Sequence, residues 1–151
     1  MLARFLVFFA SVAIAKAADD LPGHVTILPT SEGPKIIKQC SRTDPAEVTG
    51  FWLPLPADVA ASEKTLPQLL RKSGHTINLG HSYRQYIGIV SHGKKLIYVN
   101  AFSETVLVHP PLRRSWKREA MVICDGGDVF WGVEFDPATR VFTHLEFNGS
   151  I

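Results

Sequence analysis

Apolar and polar residues alternate with a period of two from Tyr83 to the end of the chain, and with a helical period only between Asp58 and Ser73. Residues 83–90 and 95–102 flank Ser91-His92-Gly93-Lys94, the pattern of a hairpin closed by a two-residue turn at His92-Gly93. That turn pairs Ile89 with Leu96, Ile87 with Tyr98 and Tyr83 with Phe102, all on one face of a half-buried hairpin. Gln85 then faces Asn100, an amide pair able to satisfy its own hydrogen bonds. In residues 58–73, Asp58 serves as cap and Val59, Leu66, Leu69 and Leu70 form the apolar stripe. Arg71 and Lys72 suit the negative end of the helix, and Gly74 stops it. Pro67 either bends this helix or marks a second one that starts near Thr65.

The last third carries the densest strand signal, at residues 119–124, 129–135 and 141–147. Asp125-Gly126-Gly127 and Asp136-Pro137-Ala138-Thr139 separate the three runs. Val129, Trp131, Val133 and Phe135 share one face, and Val141, Thr143, Leu145 and Phe147 share another. The two faces coincide only if Phe135 opposes Val141 and Trp131 opposes Leu145. That register calls for a three-residue loop with Thr139 or a neighbour in the left-handed region. A two-residue Pro137-Ala138 turn would instead set Trp131 against His144. The expected fold is therefore α+β: one main helix packed on an antiparallel meander of about five strands, cystatin-like in order.

The segment before the helix, residues 18–56, is loop-rich. Pro22-Gly23, Ser31-Glu32-Gly33-Pro34 and Asp44-Pro45 punctuate it, with short extended pieces expected at 25–28 and 51–55. Ahead of it stand Arg4, the apolar run from Phe5 to Ile14, and Ala15-Lys16-Ala17. This is the order of a secretory signal cleaved before Ala18, and the run is too short for a membrane anchor. Residues 1–17 are thus expected to leave and residues 18–151 to form a single exported globular domain. Arg4 and Lys16 leave with the signal, so 16 basic residues against 14 acidic become 14 against 14. A neutral domain gives no reason to expect nucleic acid as a partner.

Export changes the reading of Cys40 and Cys124, the chain's 2 cysteines. In an oxidising compartment they are expected to form a disulfide, worth roughly 4 kcal/mol through restriction of the unfolded chain. A catalytic thiol is the weaker reading, because Asp125 and Asp128 beside Cys124 would disfavour its thiolate. The 6 histidines show no metal-binding spacing. His75 and His81 bracket a glycine-containing loop. His144 lies with Glu134 and Glu146 on the polar side of the final hairpin, where an acid/base or zinc cluster is conceivable. Cys124-Asp125-Gly126-Gly127-Asp128 lacks the spacing of a calcium loop and reads as a wide turn. Asn148-Gly149-Ser150 is a formal glycosylation sequon, more simply a chain-terminal turn.

The stretch CDGGDVFWGVEFDPATRVFTHLEFNG, with YRQYIGI and KLIYVNAF before it, resembles a group of small exported bacterial proteins of unassigned function. The resemblance covers about residues 83–149. It implies a periplasmic or secreted protein of a Gram-negative bacterium and transfers no activity. The group carries a glycine in the final hairpin turn, where this chain has Thr139-Arg140.

These features favour a small binding module that acts by protein–protein contact, inhibitor-like or immunity-like, on another exported or envelope protein. No catalytic residue, cofactor or metal is assigned. Tyr86, Phe130 and Phe142 point away from the expected core face. They form an apolar interface if that face is open, or a second core layer if residues 25–56 fold over it. Arg113, Arg114 and Trp116 complete the candidate interface in the 103–117 segment. Two alternatives stay open: a small hydrolase or metal-dependent enzyme using His75, His81 or His144 with nearby acids, and a structural accessory of an envelope complex.

Overall fold

A computed structural model describes residues 21–149; the expected signal at 1–17 lies outside the described residues. The strands are β1 (Val25–Ile27), β2 (Val48–Trp52), β3 (Ser82–Ser91), β4 (Lys94–Ser103), β5 (Trp131–Asp136) and β6 (Val141–Phe147). The helices are α1 (Gly33–Ile36), α2 (Pro56–Lys72) and α3 (Pro110–Ser115). The fold is α+β, with one six-stranded, mostly antiparallel sheet ordered β1-β3-β4-β5-β6. Short β1 runs parallel to the first half of β3, and β2 pairs antiparallel with its second half. The extended piece expected at 51–55 sits three residues earlier, as β2.

The β3–β4 hairpin has the expected register throughout, including Ile87 opposite Tyr98 and Gln85 opposite Asn100. His92 and Gly93 both take positive φ, 46° and 73°, as a twist-matched two-residue turn requires. The hairpin is not half-buried, however. Tyr86, Ile97 and Val99 face α2 in one core cluster, while Ile87, Ile89 and Tyr98 face Leu28, Ile36 and Ala120 in another. Near-continuous apolar stretches such as YIGIV and LIYV are what a doubly covered strand needs.

Helix α2 runs unbroken through Pro67, so neither a second helix nor a stop occurs there. It starts two residues before Asp58, with Leu55 in the cap position and Pro56 first in the helix, where its missing N–H costs nothing. Val59, Ser62, Leu66 and Leu70 form its buried stripe, spaced three and four apart as one helical face demands.

Residues 119–124, expected as a strand, join no ladder. The segment crosses the face opposite α2, and side chains take the place of a neighbouring strand. The Met121 N–H donates to Gln85 Oε1 at 2.9 Å, and its carbonyl accepts from Asn100 Nδ2 at 2.8 Å. Gln85 Nε2 donates to the carbonyl of Glu119, and the Ala120 N–H donates to Glu32 Oε2. Asn100 Nδ2 also donates to Gln85 Oε1 at 3.1 Å, so the expected amide pair exists and anchors the covering segment as well. The Cys40–Cys124 disulfide forms, with 5.2 Å between Cα atoms, and pins the two covering segments to each other.

The final hairpin departs from the expected register. Asp136 pairs with Val141 and Phe135 with Phe142, leaving a four-residue loop in which Arg140 has φ 59°. The left-handed residue is therefore a neighbour of Thr139, and the two-residue turn is absent. The loop already shifts the register by one and a bulge shifts it by one more, so Trp131 meets Phe147 rather than Leu145. His144, at φ 52°, is the extra residue. The bulge changes the phase so that Phe142, Leu145 and Phe147 all pack on the α2 side, while Val141 stays exposed. Strict alternation misassigned that face because a bulge breaks alternation.

Candidate functional site

The candidate interface residues separate once their surroundings are known. Tyr86 is buried beneath α2, and its hydroxyl donates to Glu63 Oε1. Phe142 packs against Phe135 on the same side, with ring centroids 4.8 Å apart. Phe130 and Trp116 are buried in a third cluster with Phe102, Val106, Leu107 and Met121. An open aromatic sheet face is therefore not what these residues make. One face carries α2. The other carries the chain from Leu28 to Ile37 together with residues 116–125. Arg113 and Arg114 remain exposed on α3.

What stays accessible is the 103–117 segment itself. Ser103 caps a short 3-10 turn, Glu104–Val108, by accepting the Thr105 N–H. His109 and Pro110 then start α3, whose last turn carries Arg113 and Arg114. Beside them lies a groove of 540 Å³ whose lining includes Tyr83, Leu107, Val108, Arg113, Trp116 and Lys117. Trp116 is itself buried and packs edge-on against Tyr83, with centroids 4.9 Å apart. Val108 is 72% exposed at the groove's lip. Among the described residues, none of Arg113, Arg114, Lys117 and Arg118 forms an ion pair. Arg113, Arg114 and Trp116 were visible in the sequence. Val108 and Tyr83 were missed, although an apolar residue just before His109-Pro110-Pro111 is a signal of an exposed corner.

The histidines do not converge. His75 Nδ1 meets Asp128 at 2.8 Å and its ring stacks on Phe147. His81 meets Glu104 at 2.6 Å, His92 meets Glu47 at 2.9 Å, and His144 meets Glu134 at 2.8 Å. His24, on the edge beside β3, is held below its usual pKa by burial and by the Arg84 charge. Among the described residues no three His, Cys, Asp or Glu side chains are placed to hold a metal ion. No hydroxyl or thiol of the described residues hydrogen-bonds to His144, so the Glu134–His144 pair lacks the nucleophile partner of a catalytic triad.

Asn148 is not a free glycosylation acceptor. Its amide donates to the carbonyls of Ile123 and Asp125, and its oxygen accepts from Arg42. The turn at Asp125-Gly126-Gly127 holds three successive positive φ values, and a Cβ on Gly126 would lie 2.4 Å from the Phe130 ring. Among the described residues no helix is long and apolar enough to cross a membrane. Compared with known proteins, the chain matches no family model, no curated protein and no solved structure.

Proposed function

We propose that the protein is an exported binding module, periplasmic or secreted, that acts by protein–protein contact in an inhibitor-like or immunity-like manner. The carrying observation is the 103–117 surface: three cations, Arg113, Arg114 and Lys117, without ion pairs among the described residues, set beside a groove with Tyr83, Val108 and Trp116 at its wall. Apolar and aromatic side chains ringed by charge are the anatomy of a protein interface. The partner is another exported or envelope protein. It presents an acidic surface to α3 and an apolar side chain to the groove, since opposed charge speeds encounter and fixes orientation. A disulfide closing 84 residues of chain supports an oxidising destination, and the segment at residues 1–17 supports the route there.

A photo-crosslinking residue at position 108, introduced into the full chain expressed in a Gram-negative host, tests the contact. The expected result is one acidic envelope protein captured in quantity, and capture falling on Arg113→Glu with Arg114→Glu while the circular dichroism spectrum is unchanged. Undiminished capture after charge reversal would sink the proposal. Sequencing of the exported protein is expected to begin at Ala18.

A further inference from the structure

On the sheet face opposite α2, the 43–46 segment leans over β4, β5 and β6 and leaves a cleft of 220 Å³. Its wall includes Pro45, Ala46, Tyr98, Glu134, His144 and Glu146. The cleft is smaller than the ~300–1,000 Å³ of ordinary small-molecule sites, so it suits one head group on a short stem. Gly132 makes the floor possible, because a Cβ there would lie 2.5 Å from the Tyr98 hydroxyl.

Glu134 is the informative side chain. It is 4% exposed, and Oε2 accepts from His144 Nδ1. No hydrogen bond of the described residues reaches Oε1, and Glu134 lines the cleft. A carboxylate with so little exposed surface and one oxygen without a protein donor can take a hydrogen-bonding cation that enters the cleft. Arg42 does not supply it. Its guanidinium donates to the Tyr98 hydroxyl at 3.2 and 3.0 Å, to Asn148 Oδ1 at 2.9 Å and to Asn100 Oδ1 at 2.5 Å, and it is not on the cleft wall. Asp44 is likewise occupied, by Lys38 at 2.8 Å. Glu146 adds a second carboxylate at the rim, where no ion pair of the described residues involves it.

We propose that this cleft binds a primary ammonium or guanidinium group on a short aliphatic stem, with the cation against Glu134 Oε1 and Glu146 and the stem along Pro45 and Ala46. The absence of converging metal ligands among the described residues favours an organic cation over a metal ion. The same chemistry arises in a free alkylamine or in a lysine or arginine side chain of another protein. The site is independent of the 103–117 surface and does not rest on its role.

The test is titration of the isotopically labelled protein, residues 18–151, with n-butylammonium and n-butylguanidinium, followed through backbone amide resonances. Saturable shifts are expected at Gly132, Glu134 and His144, with none from n-butanol or butyrate. Glu134→Gln should weaken binding by about tenfold or more, the loss of one charge-assisted hydrogen bond. Ala46→Trp, which fills the cleft without touching a carboxylate, should abolish the shifts. Tighter binding of Gly-Lys-Gly or Gly-Arg-Gly than of the free cations assigns the source to a protein side chain, and the reverse order assigns it to a free amine. No saturable shift, equal shifts with n-butanol, or full binding by a folded Glu134→Gln protein would overturn the proposal. Arg113→Glu with Arg114→Glu should leave these titrations unchanged.

Discussion

With 1% of its surface exposed, Arg84 carries its charge into the layer between α2 and the sheet, and Glu63 meets it with both carboxylate oxygens at 2.6 and 2.8 Å. The carbonyls of Leu79 and Ser82 take further guanidinium donors, and the Tyr86 hydroxyl donates to the same carboxylate. Such a pair adds little over an apolar substitute, but losing one member strands the other. Glu63→Ala is therefore expected to cost about 3–5 kcal/mol in urea unfolding. Tyr86 adds a pH dependence. Burial, then the neighbouring Glu63, holds its pKa well above the usual tyrosine range. The folded state keeps this proton when the unfolded chain begins to release it near pH ~10. The contribution is therefore full below that pH and is lost as alkalinity rises toward the folded value. Tyr86→Phe should flatten the alkaline decline in stability, leaving the smaller share of Tyr98, whose pKa burial also raises.

Local patterns fixed the elements whose partners are sequence neighbours. The His92-Gly93 turn sets a whole ten-residue register, and the 59/66/70 spacing finds the inner face of α2. Patterns failed where a choice depended on distant chain. Residues 119–124 are apolar and extended, but whether they form a ladder or lie across one depends on Gln85, Asn100 and Gln39, which take their backbone groups. The candidate cleft was half-legible. His144, Glu134 and Glu146 fall together by strand spacing and Tyr98 joins them by pairing opposite Glu134, whereas the 43–46 wall comes from distant chain, held by the Cys40–Cys124 bond and by the Ser91 hydroxyl on the Ala46 carbonyl. The bulge in β6 yields its own prediction. Deleting His144 restores strict alternation and keeps Phe142, Leu145 and Phe147 facing α2. Deleting Glu146 turns Phe147 outward. The first variant should melt within a few degrees of the parent, and the second should lose the half-buried packing of Phe147, less than the ~3–5 kcal/mol of a fully buried aromatic, as read by calorimetry.

Across the whole molecule, the sheet works as a partition with a helix on one side and irregular chain on the other. An irregular layer contributes few ladder bonds of its own, so its order depends on covalent and side-chain ties. Replacing Cys40 and Cys124 by serine is expected to cost about 4 kcal/mol, from the loop entropy returned to the unfolded state. Amide resonances of 36–46 and 119–125 should broaden before those of β3 and β4; uniform loss would show that both layers melt together. The same tie bears on the cleft, because its 43–46 wall follows Cys40 by three residues. Reduction should therefore weaken binding of n-butylammonium before it unfolds the sheet.

Met121 sits in no strand, yet its N–H and carbonyl are held by the amides of Gln85 and Asn100 from the floor beneath. The 119–125 stretch is in effect a peptide bound by its own receptor, tethered so that it cannot diffuse away. Its backbone should exchange hydrogen for deuterium slowly at Ala120, Met121 and Asp125, whose N–H groups are held by side chains, and quickly at Val122, a comb with no secondary-structure explanation. The spacing of that comb would measure how tightly a groove of side-chain amides holds an extended chain when the entropy of association is already spent.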